Sequence, residues 1–258
     1  GRTMKLCLLT FNLGRDFDLD ELLAVCDRYG YEGVECRAQA DHGHGIELDT
    51  TPEQRAEIKA RFEDARVDLA GISTGCRFEA LDPAERQEQI DISKQFIDLA
   101  ADVGAPRIRV FGNAFPEGAD KDEVVENVGA ALREIGDHAE GTGVDCNLEM
   151  HGDFYRWQYT LRAVEIADHD RIGVVYNCDR REPNWGPIST FIEPVADYLR
   201  HVHLHNIESP DYPYQDLFRI LRSMGYHGYV SLEAGPSEDP ERVIALYARL
   251  YECMIELA

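Results

Sequence analysis

A closed (β/α)8 TIM barrel in a single domain is the fold this sequence predicts, and three observations predict it. Along 258 residues the apolar pattern switches eight times between strand-like alternation and helix-like spacing. Four strand-like segments in the second half each end in a side chain able to ligate a metal: Glu149, Asn177 or Asp179, His203 and Glu233. The rival architecture, an open doubly wound sheet, lacks its phosphate-cradling GxGxxG turn after the first strand.

The units follow in order. KLCLLTFN (5–12) reads as the first strand, and its helix is opened by Asp18 or Asp20 and closed by Gly30. YEGVECRA (31–38) is the second strand, after which Thr51-Pro52 gives the favoured order of cap and then proline. VDLAGIST (67–74) is the third, and Asp82-Pro83 repeats the cap signal for a long helix reaching Gly104. APRIRVFGN (105–113) is the fourth strand and precedes a helix over 122–138. Gly141 and Gly143 lead into the fifth, VDCNLEMHG (144–152). A helix through LRAVEIAD precedes RIGVVYN (171–177), one through FIEPVADYLR precedes HVHLHN (201–206), and one through DLFRILRSMG precedes GYVSLEAG (228–235). Asp239-Pro240 opens the last helix. The three residues before Met4 read as a remnant of cloning rather than the start of a signal peptide, so the cytoplasm is the expected compartment.

Composition excludes several classes of function. With 49 Asp plus Glu against 26 Lys plus Arg, the formal net charge is −23, and such a surface repels nucleic acid phosphates and anionic lipid. No apolar run approaches the roughly 20 residues needed to cross a bilayer. Lys5, Lys59, Lys94 and Lys121 are the only lysines, and an acid-rich, lysine-poor chain fits a halophilic, salt-filled cytosol in which self-repulsion is screened. The seven cysteines show no CxxC spacing and read as small buried hydrophobes of a reducing compartment.

Strand alternation decides which side chains face the barrel interior. It turns Val202 and Leu204 toward the helices and His201, His203 and His205 inward. The same parity turns inward Asn147, Glu149 and His151, Asn177 and Asp179, and Ser231 and Glu233, joined by Glu35, Arg37, Arg107 and Arg109. So polar an interior is costly unless its groups are paired, hydrated or bound to an ion. Oxygen ligands mixed with one imidazole suit a single divalent ion such as Mn, Mg, Co or Zn. Glu35 with Arg109 or Arg37 reads as a buried ion pair, and His201 as a hydrogen-bonded core residue.

The order LE-x-H-G, a sixth strand ending in an amide or carboxylate, then H-x-H and S-L-E, resembles the xylose isomerase-like TIM-barrel superfamily, the sugar phosphate isomerase/epimerase group. The resemblance covers essentially the whole chain and rests on the order and spacing of short motifs, 30, 24 and 30 residues from 149 to 179, 203 and 233. It implies one divalent ion held by Glu149, Asp179, His203 and Glu233, with Asn177 as the alternative to Asp179 because VVYNCD offers the amide where the family pattern puts the carboxylate. It also implies that Glu149 and Glu233 act as the acid/base pair, moving a proton next to a metal-polarised carbonyl of a sugar, sugar phosphate or related polyol or keto compound.

Around that site His151 and His205 are candidates to bind substrate hydroxyls. Arg109 is a candidate for a substrate carboxylate or phosphate, His42 and His44 for contact from a Gly-flanked loop, and Trp185, with Trp157, for a wall of the sugar pocket. The expected partner is a small-molecule carbohydrate, and a homo-oligomer paired through outer helices is compatible with the sequence. A lyase or dehydratase using the same metal site, and a degenerate barrel that binds carbohydrate without turning it over, are the alternative readings. Endonuclease IV-type repair on this fold is excluded by the acidic charge and by too few ligands for several metals.

Overall fold

Eight parallel strands close on themselves in the order β1 to β8, with β8 returning to pair β1. The structure is a computed structural model and describes residues 4–258; the three residues read as a cloning remnant lie outside them. The strands are β1 (Lys5–Leu9), β2 (Gly33–Arg37), β3 (Asp68–Arg77), β4 (Arg107–Phe111), β5 (Asp145–Glu149), β6 (Ile172–Asn177), β7 (Leu199–Leu204) and β8 (Tyr229–Leu232). The helices are α1 (Leu19–Tyr29), α2 (Pro52–Asp64), α3 (Pro83–Val103), α4 (Lys121–Ala139), α5 (Trp157–Ala167), α6 (Ser189–Ile192), α7 (Tyr214–Ser223) and α8 (Pro240–Glu256). No helix among the described residues is long and apolar enough to cross a membrane.

The helix boundaries follow local chemistry. Asp18 and Thr51 each close a reciprocal capping box, with Glu21 and Gln54, and so satisfy backbone N–H groups that have no partner within the helix. Asp82 and Asp239 cap α3 and α8 just ahead of Pro83 and Pro240. Gly30 and Gly104 end α1 and α3 in the left-handed conformation that glycine adopts without strain. One expected element differs. The helix through FIEPVADYLR is a single α turn followed by a 3-10 segment, Glu193–Tyr198, because Pro194 has no N–H to donate and its ring crowds the preceding turn.

The core lies between the strands and the helix ring. Val202 and Leu204 of β7, Leu148 of β5 and Val174 of β6 are fully buried on the helix side. The inner face is polar and equally dry: Glu35, Ser73, Arg109, Asn147, Glu149, His201, His203 and Ser231 are all buried. Registers set the neighbours there, with Asn177 level with His203 and His203 level with Ser231.

Candidate metal and active site

Glu149, His203 and Glu233 meet at the C-terminal mouth of the barrel. Glu149 is the last residue of β5, His203 lies one before the end of β7, and Glu233 follows β8 directly. Each offers one ligand atom, and these atoms all lie within 4.8 Å of one another. His203 Nδ1 stands 3.0 Å from Glu149 Oε1 and 3.9 Å from Glu233 Oε2. Donors sharing an ion at about 2.0–2.2 Å can be no more than about 4.4 Å apart, so the two separations from His203 and this oxygen–nitrogen donor set suit a divalent cation.

Arg109 and Glu35 flank the cluster. The Arg109 guanidinium bonds Glu149 Oε2 and donates to the Thr74 carbonyl at 3.0 Å, and its plane lies over the Phe111 ring. Burial would push the Glu149 carboxyl up, but the His203 ring and Arg109 overcome this and hold it well below the usual carboxylate range. Burial likewise opposes charge on Glu35 and His203. Their mutual attraction wins, with Glu35 held low by His203 and His201, and His203 held high by Glu35 and Glu149. His201, for which burial is the largest effect, is shifted down and serves as a hydrogen-bonded core residue.

Several expectations change here. Glu35 pairs with neither Arg109 nor Arg37; its partners are His201, His203, Ser73 and Ser231, and Arg109 pairs with Glu149 instead. The reason is lateral stagger: Arg109 is level with Asn147, which brings its long side chain to the next inward residue on β5. Arg109 is therefore engaged inside the barrel wall, 6% exposed, rather than free for a substrate anion. Asp179 does not join Glu149, His203 and Glu233. β6 ends at Asn177, so strand parity no longer governs residue 179, and its carboxylate is bound by Arg181 Nε at 2.9 Å and Nη2 at 2.6 Å. Asn177 stays on the strand and accepts a hydrogen bond from His205 Nε2 at 2.7 Å.

His205 also contacts the Glu233 carbonyl at 3.3 Å and lines, with Asn177, Asp179, Arg180 and Arg181, a cavity of about 670 Å³ on the β6–β7 side of the mouth. His151 is exposed on the loop after β5, its ring 4.9 Å from that of Phe111. The loop histidines are not open to solvent. His42 is bonded to Thr10 Oγ1, and His44 bridges the Arg37 carbonyl and the Ile46 N–H, so both staple the loop after β2. Trp185 is 63% exposed under the Arg156 guanidinium, while Trp157 packs against the core.

Glu182, in the loop after β6, carries no sequence signal of its role. It is fully buried, accepts a hydrogen bond from Tyr176, and burial pushes its carboxyl up to about 9. Tyr212 completes this cluster, 2.7 Å from the Tyr176 hydroxyl.

A parallel eightfold barrel whose fifth, seventh and eighth strands deliver carboxylate, imidazole and carboxylate to one point belongs to the class of barrels that work at the C-terminal ends of their strands. Residues 23–252 match the family model of the xylose isomerase-like TIM barrel, and the chain belongs to that family. It is similar to a 2-oxo-tetronate isomerase of Haemophilus influenzae, 24% identical over a 166-residue alignment that covers 59% of this chain and 63% of that protein, so the match spans less than two thirds of the relative. Among solved structures, it resembles a 3-keto-D-glucoside 4-epimerase from E. coli (18% identity, 96% of this chain and 100% of that one, TM-score 0.78). It also resembles a D-psicose 3-epimerase from Clostridium cellulolyticum H10 in complex with D-tagatose (16%, 98% and 99%, 0.79). A third is the IolI protein with a bound zinc atom (18%, 98% and 98%, 0.77).

Proposed function

We propose that this chain is a divalent-metal-dependent isomerase or epimerase of a small sugar or sugar derivative, with Glu149, His203 and Glu233 as the protein ligands of one ion. The observation that carries this reading is the meeting of those three donors, from three strands, at the barrel mouth. Family membership supports it, and so do the sugar-directed activities named for the similar proteins. A neighbour on this fold with a bound zinc atom supports a metal ion.

Glu149, His203 and Glu233 would hold the ion, whose Lewis acidity would polarise a substrate carbonyl and acidify the neighbouring C–H. The protein's own residues then move the proton. The Glu233 side chain is 21% exposed and that of Glu149 1%, which supports Glu233 as the carboxylate more accessible to substrate. Glu149, fixed between His203 and Arg109, is the second carboxyl in this reading. Delivery of a second proton to the same carbon from the other face, by the other carboxyl, gives epimerisation and leaves the first carboxyl holding the proton it took, whereas return of the first proton to the adjacent carbon gives isomerisation. His205, held by Asn177, and the exposed His151 are the groups assigned to substrate hydroxyls.

The test is a panel of keto- and aldo-sugars, sugar acids and phosphates in D2O with Mn, Mg, Co or Zn supplied in turn, reading deuterium at carbon. Exchange that a chelator removes, and that Glu149→Gln and Glu233→Gln both lack, is the expected result. Exchange that survives chelation overturns the metal requirement.

A further inference from the structure

The geometry points to Glu35 as the residue that positions His203 for the ion, by locking the ring so that Nδ1 alone faces the mouth. The inference rests on the metal site proposed above and extends it one layer into the barrel.

His203 is fully buried, and its two nitrogens face opposite ways. Nδ1 looks toward Glu149 and Glu233. Nε2 looks down at both Glu35 oxygens, 2.9 Å from Oε1 and 3.0 Å from Oε2. Glu35 cannot follow the ring if it moves, because three further donors hold the carboxylate: Ser73 Oγ from β3, Ser231 Oγ from β8 at 2.6 Å and His201 Nε2 from β7 at 2.7 Å. A carboxylate has about four lone-pair positions, and all are engaged.

Two consequences follow. A proton on Nε2 is tied to Glu35, so Nδ1, which faces Glu149 and Glu233, is the nitrogen that would give up its proton to an arriving ion. Rotation of the imidazole would also break bonds to a buried carboxylate, so the ligand is fixed before an ion arrives. A carboxylate behind a metal-ligating histidine sets its tautomer and raises its basicity, and losing such a partner typically costs about 10–100-fold in metal affinity.

Glu35, His201 and His203 also lie close enough together to be read as an ion site of their own. The saturated carboxylate argues against it: an ion there would have to displace the hydrogen bonds that hold Glu35, in an interior closed to solvent.

The experiment is titration of metal-free protein with Co2+ and Zn2+, read by calorimetry and by the visible absorption of bound Co2+, with circular dichroism and thermal melts for the fold of each variant. Wild type is expected to bind one ion per chain. Glu35→Gln is expected to bind it about 10–100-fold more weakly, with a changed Co2+ spectrum. If Glu35→Gln does not fold, the Ser73→Ala/Ser231→Ala pair, which keeps the carboxylate but releases two of its donors, is expected to weaken binding several-fold. In 15N-histidine-labelled, Zn2+-loaded wild type, Nε2 of His203 is expected to carry the proton.

Unchanged affinity in Glu35→Gln, or in the serine pair where Glu35→Gln is unfolded, overturns this inference and leaves the metal site standing. So does a second ion per chain that the Glu35 change removes. A wild type that binds no ion overturns the metal reading itself, and this inference with it.

Discussion

Arg109 Nη1 lies 2.5 Å from Glu149 Oε2, with both side chains almost wholly inside the barrel wall. The pair spans β4 and β5, and the other Glu149 oxygen faces His203. One carboxylate thus joins the structural interior to the candidate ion site.

Removing one member of a buried pair leaves the other charge uncompensated. Arg109→Ala is expected to destabilise the protein by about 3–5 kcal/mol in denaturant unfolding. Adding Glu149→Gln to that background is expected to recover much of the loss. Additive single and double variants would show that the two groups do not interact energetically.

Asn177 stands level with His203 on the neighbouring strand but is a neutral donor bonded to His205. Asn177→Asp is expected to tighten divalent-ion binding roughly tenfold, a gain of about 1.4 kcal/mol, measured by the same titration. Unchanged affinity would put residue 177 outside the ion's reach.

Glu182 supplies a pH signature. Burial raises its folded-state value to about 9 from an ordinary value of 4.5, so the folded protein keeps the proton that the unfolded chain releases. Its stabilising contribution is complete below pH 4.5 and is lost as pH rises toward 9, at about 1.4 kcal/mol per pH unit in between. Glu182→Gln cannot ionise. Its advantage in unfolding free energy over wild type is therefore expected to grow from pH 6 to pH 9, and a constant difference would refute the shift.

A formal charge of −23 predicts dependence on salt. The Debye length falls from about 10 Å at 0.1 M to about 3 Å at 1 M, screening self-repulsion among the exposed carboxylates. The melting temperature is expected to rise steadily with KCl over that range. A flat profile would remove the argument for salt adaptation.

How far the site was legible depended on whether each residue sat on a strand. Parity turned Glu35, Glu149 and His203 inward because alternation is a local property of extended chain. The same rule failed at Asp179, two residues beyond the end of β6, where the chain turns and Arg181 takes the carboxylate. It was silent on His42 and His44, whose loop folds back so that Thr10 and the Arg37 carbonyl receive them. Pro194 broke a helix whose apolar spacing looked continuous, although the residue itself was a visible warning.

By itself the sequence determined the eight units, the caps of α1, α2, α3 and α8 and the inward polar side chains on the strands, because period, capping and alternation act over a few neighbouring residues. Only the closed barrel decided who bonds to whom: Arg109 with Glu149, Glu35 with His203, Asp179 with Arg181. The first two partnerships join residues on different strands and are set by the stagger of the barrel, and the third is set by the path of the loop after β6. No local pattern in the chain encodes either.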